Sequence, residues 1–343
     1  MIRVVNPIKY KNWNDLILTM PNYSFFHTSE WAQVLRKSYH YEPCYFVDFE
    51  GEDVKSILPV MGVNSPFTGK RGVSLPFSDH CEPLVQNGRH FAALTDSAFD
   101  FGRKAGWKYL ELRGGGEYLQ NESDSESFRG HIIDIRGGVE KLFRSFRDST
   151  RRNIRKAEKA GVATRIAASP DSLKDFTHLN SLTRKKHGLP PQPDSFFKIF
   201  YDCIIATGQG FISLAAFNGK TIAAAVFIFI REKAVFKYGA SDERYNHLRA
   251  NNLVMWNAIQ KCSALGCESI DLGRSDMHHT GLNQFKMGWN PKEFTIHYYK
   301  YSFPGNKFVR PERMNARFWN NIFSKMPMPI LKTIGCLSYR HMG

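Results

Sequence analysis

The sequence lacks the short motifs that identify several large enzyme classes. Its 343 residues contain no G-x-S-x-G nucleophile turn, no Walker A loop and no G-x-G-x-x-G fingerprint. These absences argue against serine hydrolases, P-loop NTPases and Rossmann dehydrogenases. The six cysteines form no C-x-x-C pair, and the His278-His279 pair lacks H-E-x-x-H spacing. We therefore expect reduced, buried thiols in a cytosolic protein, and no metal site.

The sequence also lacks a segment long enough to cross a bilayer. Its longest apolar run, residues 221–230, has ten residues, whereas a membrane-spanning helix needs about 20. Residues 1–7 show no apolar core followed by a cleavage site, so we expect no secretion signal. The predicted location is the cytoplasm, with the inner face of the membrane as an alternative.

What the chain does have is length, apolar content and positive charge. A chain of 343 residues, 42% of them hydrophobic, suits two cores better than one. The formal net charge is +15, which attracts nucleic acid, phosphorylated substrates and anionic membrane surfaces alike. The charge therefore indicates an anionic partner without identifying it.

The second half of the chain shows a pattern typical of a mixed α/β domain. Strands are predicted near residues 161–167, 211–217, 221–230, 234–240, 268–272 and 294–301. Helices are predicted near residues 171–187, 194–206 and 248–265 and around Lys286. Asn218-Gly219 predicts a hairpin turn, and Gly266 the end of a helix. The order β-α-α-β-β-β-α-β-α-β resembles the GCN5-related N-acetyltransferase (GNAT) fold.

The first half gives a similar order, which suggests a duplication. Strands are predicted near residues 2–5, 44–49, 54–62, 72–77 and 107–113, and helices near 29–38 and 88–105. Residues 105–113 match residues 265–273, and Ser78-Asp79 matches Ser241-Asp242 at nearly the same offset. The Gly-, Ser- and acid-rich stretch that follows the first half is predicted to be an exposed loop.

Five stretches resemble the FemAB-like transferases, a family that includes enzymes adding amino acids to peptidoglycan precursors. The stretches are Phe25–Trp31, Ser74–Asp79, Arg151–Val162, Lys186–Pro193 and Phe285–Trp289. The tail is similar to the branch of the family found near polysaccharide-synthesis genes. The resemblance implies an α/β fold with α+β mixed sheets, in which two tandem GNAT-like domains bind the acceptor in a cleft between them. The chain lacks the long coiled-coil arm of the bridge-forming members, which leaves a tRNA-dependent donor open.

The predicted domains follow from the duplication. An N-terminal GNAT-like domain covers residues 1–140 and is completed by the tail 305–343, and a C-terminal acyltransferase domain covers residues 141–304. Apolar residues of the tail either close the core of the first domain, which we favour, or lie with its basic residues at a membrane interface.

Two residues are predicted to take part in the transfer itself. Attack of an amine on an ester or thioester builds an oxyanion, which a fixed cation nearby stabilises. Lys286, between Phe285 and Met287 on a short helix after a buried strand, is the predicted cation, and the resemblance implies the same lysine. Asp79, beside His80 after a strand of the first half, is predicted to contact the acceptor amine, with a turn residue as the alternative.

Six further residues are predicted to bind substrate. They are Arg151, Arg152, Arg155, Arg274, Asp271 and His187. If one helix continues through residues 144–159, its basic side chains fall within a sector of about 120°. We expect this basic face to bind the phosphates of a substrate or of an RNA backbone. Residues 148–150 break this helix in the alternative interpretation. His187 also has a structural explanation, because a helix carboxyl end favours a cation.

Neither half shows a glycine-rich loop for the pyrophosphate of coenzyme A. Residues 241–252 contain Asp242 and Glu243 but no glycine, and residues 79–84 contain two acids and Pro83. Carboxylates repel a diphosphate and proline removes a donor, so the sequence does not support ordinary CoA binding. No permanently bound cofactor is predicted, and the activated donor is either aminoacyl-tRNA or acyl-CoA.

The predicted function is transfer of an acyl or aminoacyl group to the amine of an anionic small-molecule or lipid-linked acceptor. The acceptor would be a precursor of peptidoglycan or of an exopolysaccharide, tRNA would be a partner if it serves as donor, and no DNA partner is predicted. The alternative function is a non-catalytic protein of the same fold that binds RNA in a basic groove. Base-stacking aromatic residues are not evident beside the basic residues, which counts against that alternative.

Overall fold

The computed structural model describes residues 1–51, 53–311 and 316–343. These residues form two compact units. Unit 1 comprises the described residues within Met1–Phe128, Thr295–Arg313 and Ser338–Gly343, and unit 2 comprises those within Arg129–Phe294 and Met314–Leu337. Residues 316–337 of the tail thus lie in unit 2, whereas the sequence analysis assigned the whole tail to the first domain.

Two glycines explain why this part of the tail lies against unit 2. A Cβ atom at Gly188 would collide with the carbonyl oxygen of Asn320, and a Cβ atom at Gly335 would collide with that of Pro191. Such backbone approaches are possible only where a side chain is missing. The connection around residues 188–191 therefore holds both tail helices.

Strands and helices are interspersed along the described chain. The chain up to residue 134 contains β1 (Ile2–Val5), α1 (Trp13–Leu18), α2 (Ser29–Tyr39), β2 (Glu42–Pro43), β3 (Tyr45–Glu50), β4 (Asp53–Leu58), β5 (Met61–Ser65), β6 (Gly69–Ser74), α3 (Gly88–Ala105), β7 (Tyr109–Arg113) and β8 (Glu126–Asp134). The rest contains α4 (Val139–Ser145), α5 (Asp148–Lys159), β9 (Ala163–Ala167), α6 (Pro170–Lys186), α7 (Asp194–Phe200), β10 (Gly210–Phe217), β11 (Lys220–Ile230), β12 (Lys233–Ser241), α8 (Ala250–Ala264), β13 (Ser269–Asp271), β14 (Ser275–Asp276), α9 (Thr280–Met287), β15 (Lys292–Ser302), β16 (Lys307–Phe308), α10 (Ala316–Lys325) and α11 (Met328–Ser338).

Unit 1 contains two sheets. Strands β1, β3 and β4 form an antiparallel sheet, and the second sheet has the order β2-β5-β6-β7-β15. Strands β6 and β7 are parallel, with Gly72–Ser74 beside Leu110–Leu112. Helix α3 connects them and buries Phe91, Leu94 and Ala98 in the core.

Unit 2 contains one sheet with the order β8-β13-β12-β11-β10-β9. Every residue of β11 from Ile222 to Ile228 is buried, so both faces of this strand are covered, which explains its unbroken apolar sequence. Helix α8 adds Leu253, Val254 and Ile259 to the same core. Among the described residues, no helix combines the length and apolarity required to cross a membrane.

The two units share a strand-helix-strand arrangement with a parallel strand pair, as the duplication predicted. Helices α3 and α8 are both followed by a glycine with positive φ, Gly106 at 70° and Gly266 at 80°. The pairs differ in extent. In unit 1 the ladder reaches Ser74, the last residue of β6. In unit 2 it covers Lys233–Val235, because β13 ends at Asp271, beside Val235, while β12 continues to Ser241.

Two elements differ from the sequence analysis. The single strand predicted over residues 54–62 is two strands, β4 and β5, because Pro59 lacks the N–H that a central strand needs. The continuous helix through residues 144–159 is wrong. The helix is broken, as in the alternative, but the break lies at residues 146–147, and residues 148–150, where the alternative placed it, begin α5. The backbone is extended at Phe146 and Arg147, with ψ of 152° and 145°, before α5 begins at Asp148.

Candidate functional site

Lys286, the predicted oxyanion cation, is a buried residue of α9 and is only 3% exposed. Its Nζ donates hydrogen bonds of 2.8 Å to the carbonyl oxygen of Gly273 and of 2.9 Å to that of Arg274. These carbonyls belong to the loop that follows β13, where β12 extends beyond the end of β13. The two hydrogen bonds therefore fix this loop to α9.

The loop after β13 also brings together two predicted substrate-binding residues. Asp271, the last residue of β13, accepts a 2.7 Å hydrogen bond from the Gly273 N–H through Oδ1. Arg274, half-buried, supplies one of the two carbonyls that hold Lys286. Asp271, Arg274 and Lys286 thus form one cluster, and their roles in binding or catalysis stay proposals.

Helix α9 is docked on the break between α4 and α5. The Arg147 N–H donates a 3.1 Å hydrogen bond to the Gly288 carbonyl, and a Cβ atom at Gly288 would collide with Thr150 Oγ1. The fully buried Trp289 packs on Phe146, with ring centroids 5.1 Å apart. The two most specific family-like stretches, Arg151–Val162 and Phe285–Trp289, are therefore positioned by one contact region.

A histidine that the sequence analysis missed lies in the same unit. The imidazole of His131 on β8 is fully buried, and its Nε2 lies 3.3 Å from a carboxylate oxygen of Glu293. Burial, followed by the positive charge of Lys286, lowers the pKa of His131, although Glu293 opposes the shift. Strand β8 contains several other polar residues (Glu126, Ser127, Arg129 and Asp134), so no local pattern in the sequence indicated His131.

The β12–α8 junction has acids in the sequence, but their charges are balanced in the structure. Asp242 is buried and accepts hydrogen bonds from the Arg244 guanidinium, and Lys220 lies 3.5 Å away. Glu243 pairs with Lys186 at 3.0 Å. The expectation that these carboxylates repel a diphosphate is therefore wrong, because each has a cation beside it.

The same junction encloses a small pocket of about 210 Å³. Its walls include Arg249, which precedes α8, the amides Asn251 and Asn252 of the first helical turn, and Phe285 of α9. Amide groups, an arginine and a helix amino end can hold an anionic group without a glycine-rich loop.

We predict that loss of the Arg244 partner lowers the stability of unit 2 near neutral pH and weakens its dependence on acid pH. The hydrogen bond from Arg244 lowers the pKa of Asp242 to about 2. An ionised carboxyl of this kind stabilises the fold above its unfolded pKa of about 3.9, and the stabilisation is lost as pH falls towards the folded value. In Arg244→Met the pKa of Asp242 returns towards its unfolded value, so urea unfolding midpoints should be lower than those of the native chain at neutral pH and should fall less between these two pH values.

The exposed pair Asp134–Arg136 provides a matched control for this prediction. A hydrogen bond from Arg136 likewise lowers the pKa of Asp134 to about 2, but both side chains are exposed to solvent. Solvent screening leaves such a pair with little effect on stability, so Arg136→Met should keep the native pH profile. Equal profiles for the two variants would contradict the argument from burial.

Helices α4, α5 and α8 form an open groove of about 510 Å³, which we call the arginine groove. Its lining residues are Val139, Glu140, Phe143, Arg144, Arg151, Arg155, Glu158, Trp256 and Gln260. Phe143 and Trp256 lie together at 5.1 Å, and the Arg155 guanidinium lies 5.8 Å from the Phe143 ring centroid. The sequence analysis saw no aromatic residues beside the basic ones. That statement was wrong, because the fold brings Trp256 beside the arginines. Trp256 lies on α8, about 100 residues after α5 in the sequence.

The structure brings two of the three predicted arginines of α5 into this groove. Arg151 and Arg155 line it, and Arg151 also pairs with Asp148. Arg152 is exposed and is not among the lining residues. His187 is elsewhere, at the carboxyl end of α6, where burial, Lys186 and His279 lower its pKa.

Asp79, the second predicted catalytic residue, lies in unit 1. Its carbonyl oxygen accepts a hydrogen bond from the Tyr298 hydroxyl. Arg113, at the end of β7, donates to the carbonyls of Leu75 and Ser78 and so fixes the same loop. Asp79 is therefore held at the carboxyl edge of the parallel pair β6–β7, the edge at which α/β sheets commonly bind ligands.

An aspartate–histidine pair at this edge of unit 1 was also missed. Asp124 Oδ2 lies 3.2 Å from His297 Nδ1, and Arg310 pairs with the other carboxylate oxygen. Burial works against ionisation of Asp124, but hydrogen bonds from Arg310 and His297 outweigh it and lower the pKa. When a carboxylate accepts the hydrogen bond of the histidine Nδ1–H, Nε2 is the nitrogen that can accept a proton. This is the arrangement of a general base. The partners are 173 residues apart, so no local motif indicated them.

Comparisons with known proteins agree with this architecture. Residues 144–287 match the family model described as Acetyltransferase (GNAT) domain. Among solved structures, FemX is 15% identical and has a TM-score of 0.70, with 94% of this chain and 100% of that chain covered. L-PGS from Bacillus licheniformis is 11% identical and has a TM-score of 0.55, with 94% of this chain and 100% of that chain covered. No curated protein matches the chain.

A tandem GNAT protein from the clavulanic acid biosynthesis pathway has the same fold. It is 11% identical, with a TM-score of 0.55 and with 88% of this chain and 98% of that chain covered. The fold is therefore that of tandem GNAT proteins. Residues 144–287 match an acetyltransferase (GNAT) domain, and the resemblance of the chain to the FemAB-like transferases is confirmed in fold.

GNAT domains use acyl-CoA as a co-substrate rather than a permanently bound cofactor. One feature of unit 2 fits such a donor, the pocket of amide and arginine groups at the start of α8. Within residues 1–51, 53–311 and 316–343, no group of three or more His, Cys, Asp or Glu side chains could hold a metal ion.

Proposed function

We propose that the protein is an N-acyltransferase that moves an activated acyl or aminoacyl group to the amine of an anionic cell-envelope precursor. The observation that carries this proposal is Lys286, a buried amine that donates hydrogen bonds to two carbonyls of the loop after β13. It lies in the stretch that matches the acetyltransferase family. The resemblance to the FemAB-like transferases supports a peptide or polysaccharide precursor as the acceptor.

In the proposed reaction, the nitrogen lone pair of the acceptor attacks the carbonyl carbon of an ester or thioester donor. A C–N bond forms and the C–O or C–S bond breaks, with its electron pair leaving on the alcohol or thiol. The amine loses one proton and the leaving group takes one up. Negative charge builds on the carbonyl oxygen in the transition state, and Lys286 is the proposed cation that stabilises it.

The other site residues of the sequence analysis keep their proposed roles. Asp79 of unit 1 remains the proposed contact for the acceptor amine. In unit 2, Asp271, Arg274 and His187 remain proposed substrate contacts.

A donor and acceptor screen tests the proposed function. The purified chain is incubated with acetyl-CoA or with a set of aminoacyl-tRNAs, together with small anionic amines extracted from envelope precursors, and products are identified by mass spectrometry. We expect an amide product with one donor class only. Absence of product from both donor classes, with a folded protein, would contradict the proposal.

The arginine groove is the proposed site for the phosphates of the substrate. The groove is lined by Arg144, Arg151 and Arg155 and by the partly exposed rings of Phe143 and Trp256. Arginine binds phosphate through paired N–H groups, and aromatic rings stack on planar groups. A ligand that carries both a phosphate and a planar base suits this lining, either as a small nucleotide or as single-stranded RNA.

We predict that Arg151→Glu with Arg155→Glu weakens phosphate binding by about tenfold for each arginine, because each provides a charge-assisted hydrogen bond. Binding of UDP and of a short single-stranded RNA is measured by quenching of tryptophan fluorescence at two salt concentrations. A steep salt dependence identifies RNA as the preferred ligand.

Arg152→Glu is the matched control, because it reverses the same charge on the same helix outside the groove. It should bind both probes nearly as the native chain does. Equal losses in the control and the double variant would indicate general attraction by the net charge instead of a groove site.

A further inference from the structure

Helix α10 exposes three large apolar side chains. Phe318, Trp319 and Ile322 are 66%, 52% and 38% exposed. Asn320, Phe323 and Ser324, on the opposite side of the same helix, are partly buried. A stripe of large apolar side chains normally faces the core of a soluble domain.

The inward side of α10 is fixed in place. The Asn320 carbonyl approaches Gly188 so closely that a Cβ atom at Gly188 would collide with it. Rotation of α10 about its axis would move this carbonyl away from the glycine. The aromatic face is therefore exposed by the packing of the helix on unit 2.

Helix α11 also exposes apolar side chains. Leu331 is buried, as expected of a residue that completes a core, but Ile330 and Leu337 are 52% and 68% exposed. These two residues are seven apart and share one face of the helix. We call the five exposed residues the tail apolar set: Phe318, Trp319, Ile322, Ile330 and Leu337.

We infer that the tail apolar set is a peripheral binding surface for an anionic lipid bilayer. Aromatic and branched aliphatic side chains of amphipathic helices enter the headgroup boundary, and positive charge adds attraction to anionic lipids. The exposed Lys325 lies at the end of α10, and the net charge of the chain is +15. A second copy of the chain is a poorer partner, since two surfaces of one strongly cationic protein repel each other. The inference is independent of the acyl-transfer chemistry.

Flotation of the purified chain with vesicles tests this surface. One set of vesicles is made of phosphatidylglycerol and phosphatidylcholine in equal parts, and the other of phosphatidylcholine alone. The native chain should float with the first set. Phe318→Ser combined with Trp319→Ser and Ile322→Ser should reduce the floated fraction by about tenfold, since these residues provide the inserted surface.

The control variant removes exposed apolar side chains elsewhere. Phe67→Ser with Leu265→Ser changes residues that are also exposed but lie outside the tail apolar set, and it should float as the native chain does. Failure of the native chain to float, or equal flotation of the triple variant, would overturn the inference. The inference would also be overturned if the native chain sedimented as a dimer and the triple variant as a monomer, because a second copy would then cover the surface.

Discussion

Turnover of Lys286→Met is expected to fall by about 10²–10³-fold, the loss typical of removing one group that stabilises an oxyanion. If Lys286 acts only on the transition state, kcat falls and KM is unchanged. The rate is measured with whichever donor class, acetyl-CoA or aminoacyl-tRNA, gives an amide product. A folded Met variant with native turnover would end the assignment.

The same substitution has a structural effect that must be separated from catalysis. Lys286 donates to the carbonyls of Gly273 and Arg274 in a buried environment, and loss of a partner from a buried polar group costs about 1–3 kcal/mol. Urea unfolding of Lys286→Met should show this loss, while Lys292→Met, an exposed lysine of β15, should show little. A stability loss without a loss of turnover would leave Lys286 as a residue that only fixes the loop.

Trp289→Ala is expected to reduce the free energy of unfolding of unit 2 by about 3–5 kcal/mol, the usual range when a buried aromatic residue is truncated. Trp289 has no solvent exposure, and its ring packs at 5.1 Å from Phe146 and 5.9 Å from Phe285. The ring therefore joins the end of α9 to the break between α4 and α5. Its loss should leave a cavity that this rigid junction cannot close.

Chemical denaturation followed by circular dichroism measures this loss. Trp319→Ala removes the same side chain from an exposed position and should change stability by no more than about 0.5 kcal/mol. The control shows whether the effect comes from burial or from the loss of any tryptophan. Similar losses for both variants would mean that Trp289 does not hold the junction.

The regular elements of unit 2 were predicted well because their signals are local. The helix predicted over residues 248–265 is α8 (Ala250–Ala264), and Gly266 follows it in the left-handed conformation. Strands β10 to β12 each lie within about two residues of their predicted bounds. Alternation of apolar residues, a hairpin turn and a terminal glycine each act within a few residues, so the sequence contains them directly.

The break between α4 and α5 could not be settled in the same way. Residues 144–159 have a helical pattern throughout, and the sequence favoured neither form decisively. The Gly288 carbonyl accepts the Arg147 N–H, and Phe146 packs on Trp289. These contacts come from residues about 140 positions away, and they outweigh the local helical preference.

Charge pairing was the second point at which local reasoning failed. Asp242 and Glu243 were interpreted as repulsive because the sequence shows acids where phosphate-binding loops have glycines. In the folded chain Lys220 and Lys186 lie beside them, on β11 and at the end of α6. The sign of a local field depends on all charges within a few ångströms, and chain order does not give those distances.

The amino-acid sequence by itself determined the duplicated α/β pattern, the stretch around Lys286 and the excess of positive charge, because each of these depends on neighbouring residues or on composition. Tertiary structure alone decided that Lys286 is buried on two carbonyls, that Trp256 joins the arginines of α5, and that His297 meets Asp124. Each of these contacts joins residues far apart in the chain, and only the packing of the strands and helices fixes such distances.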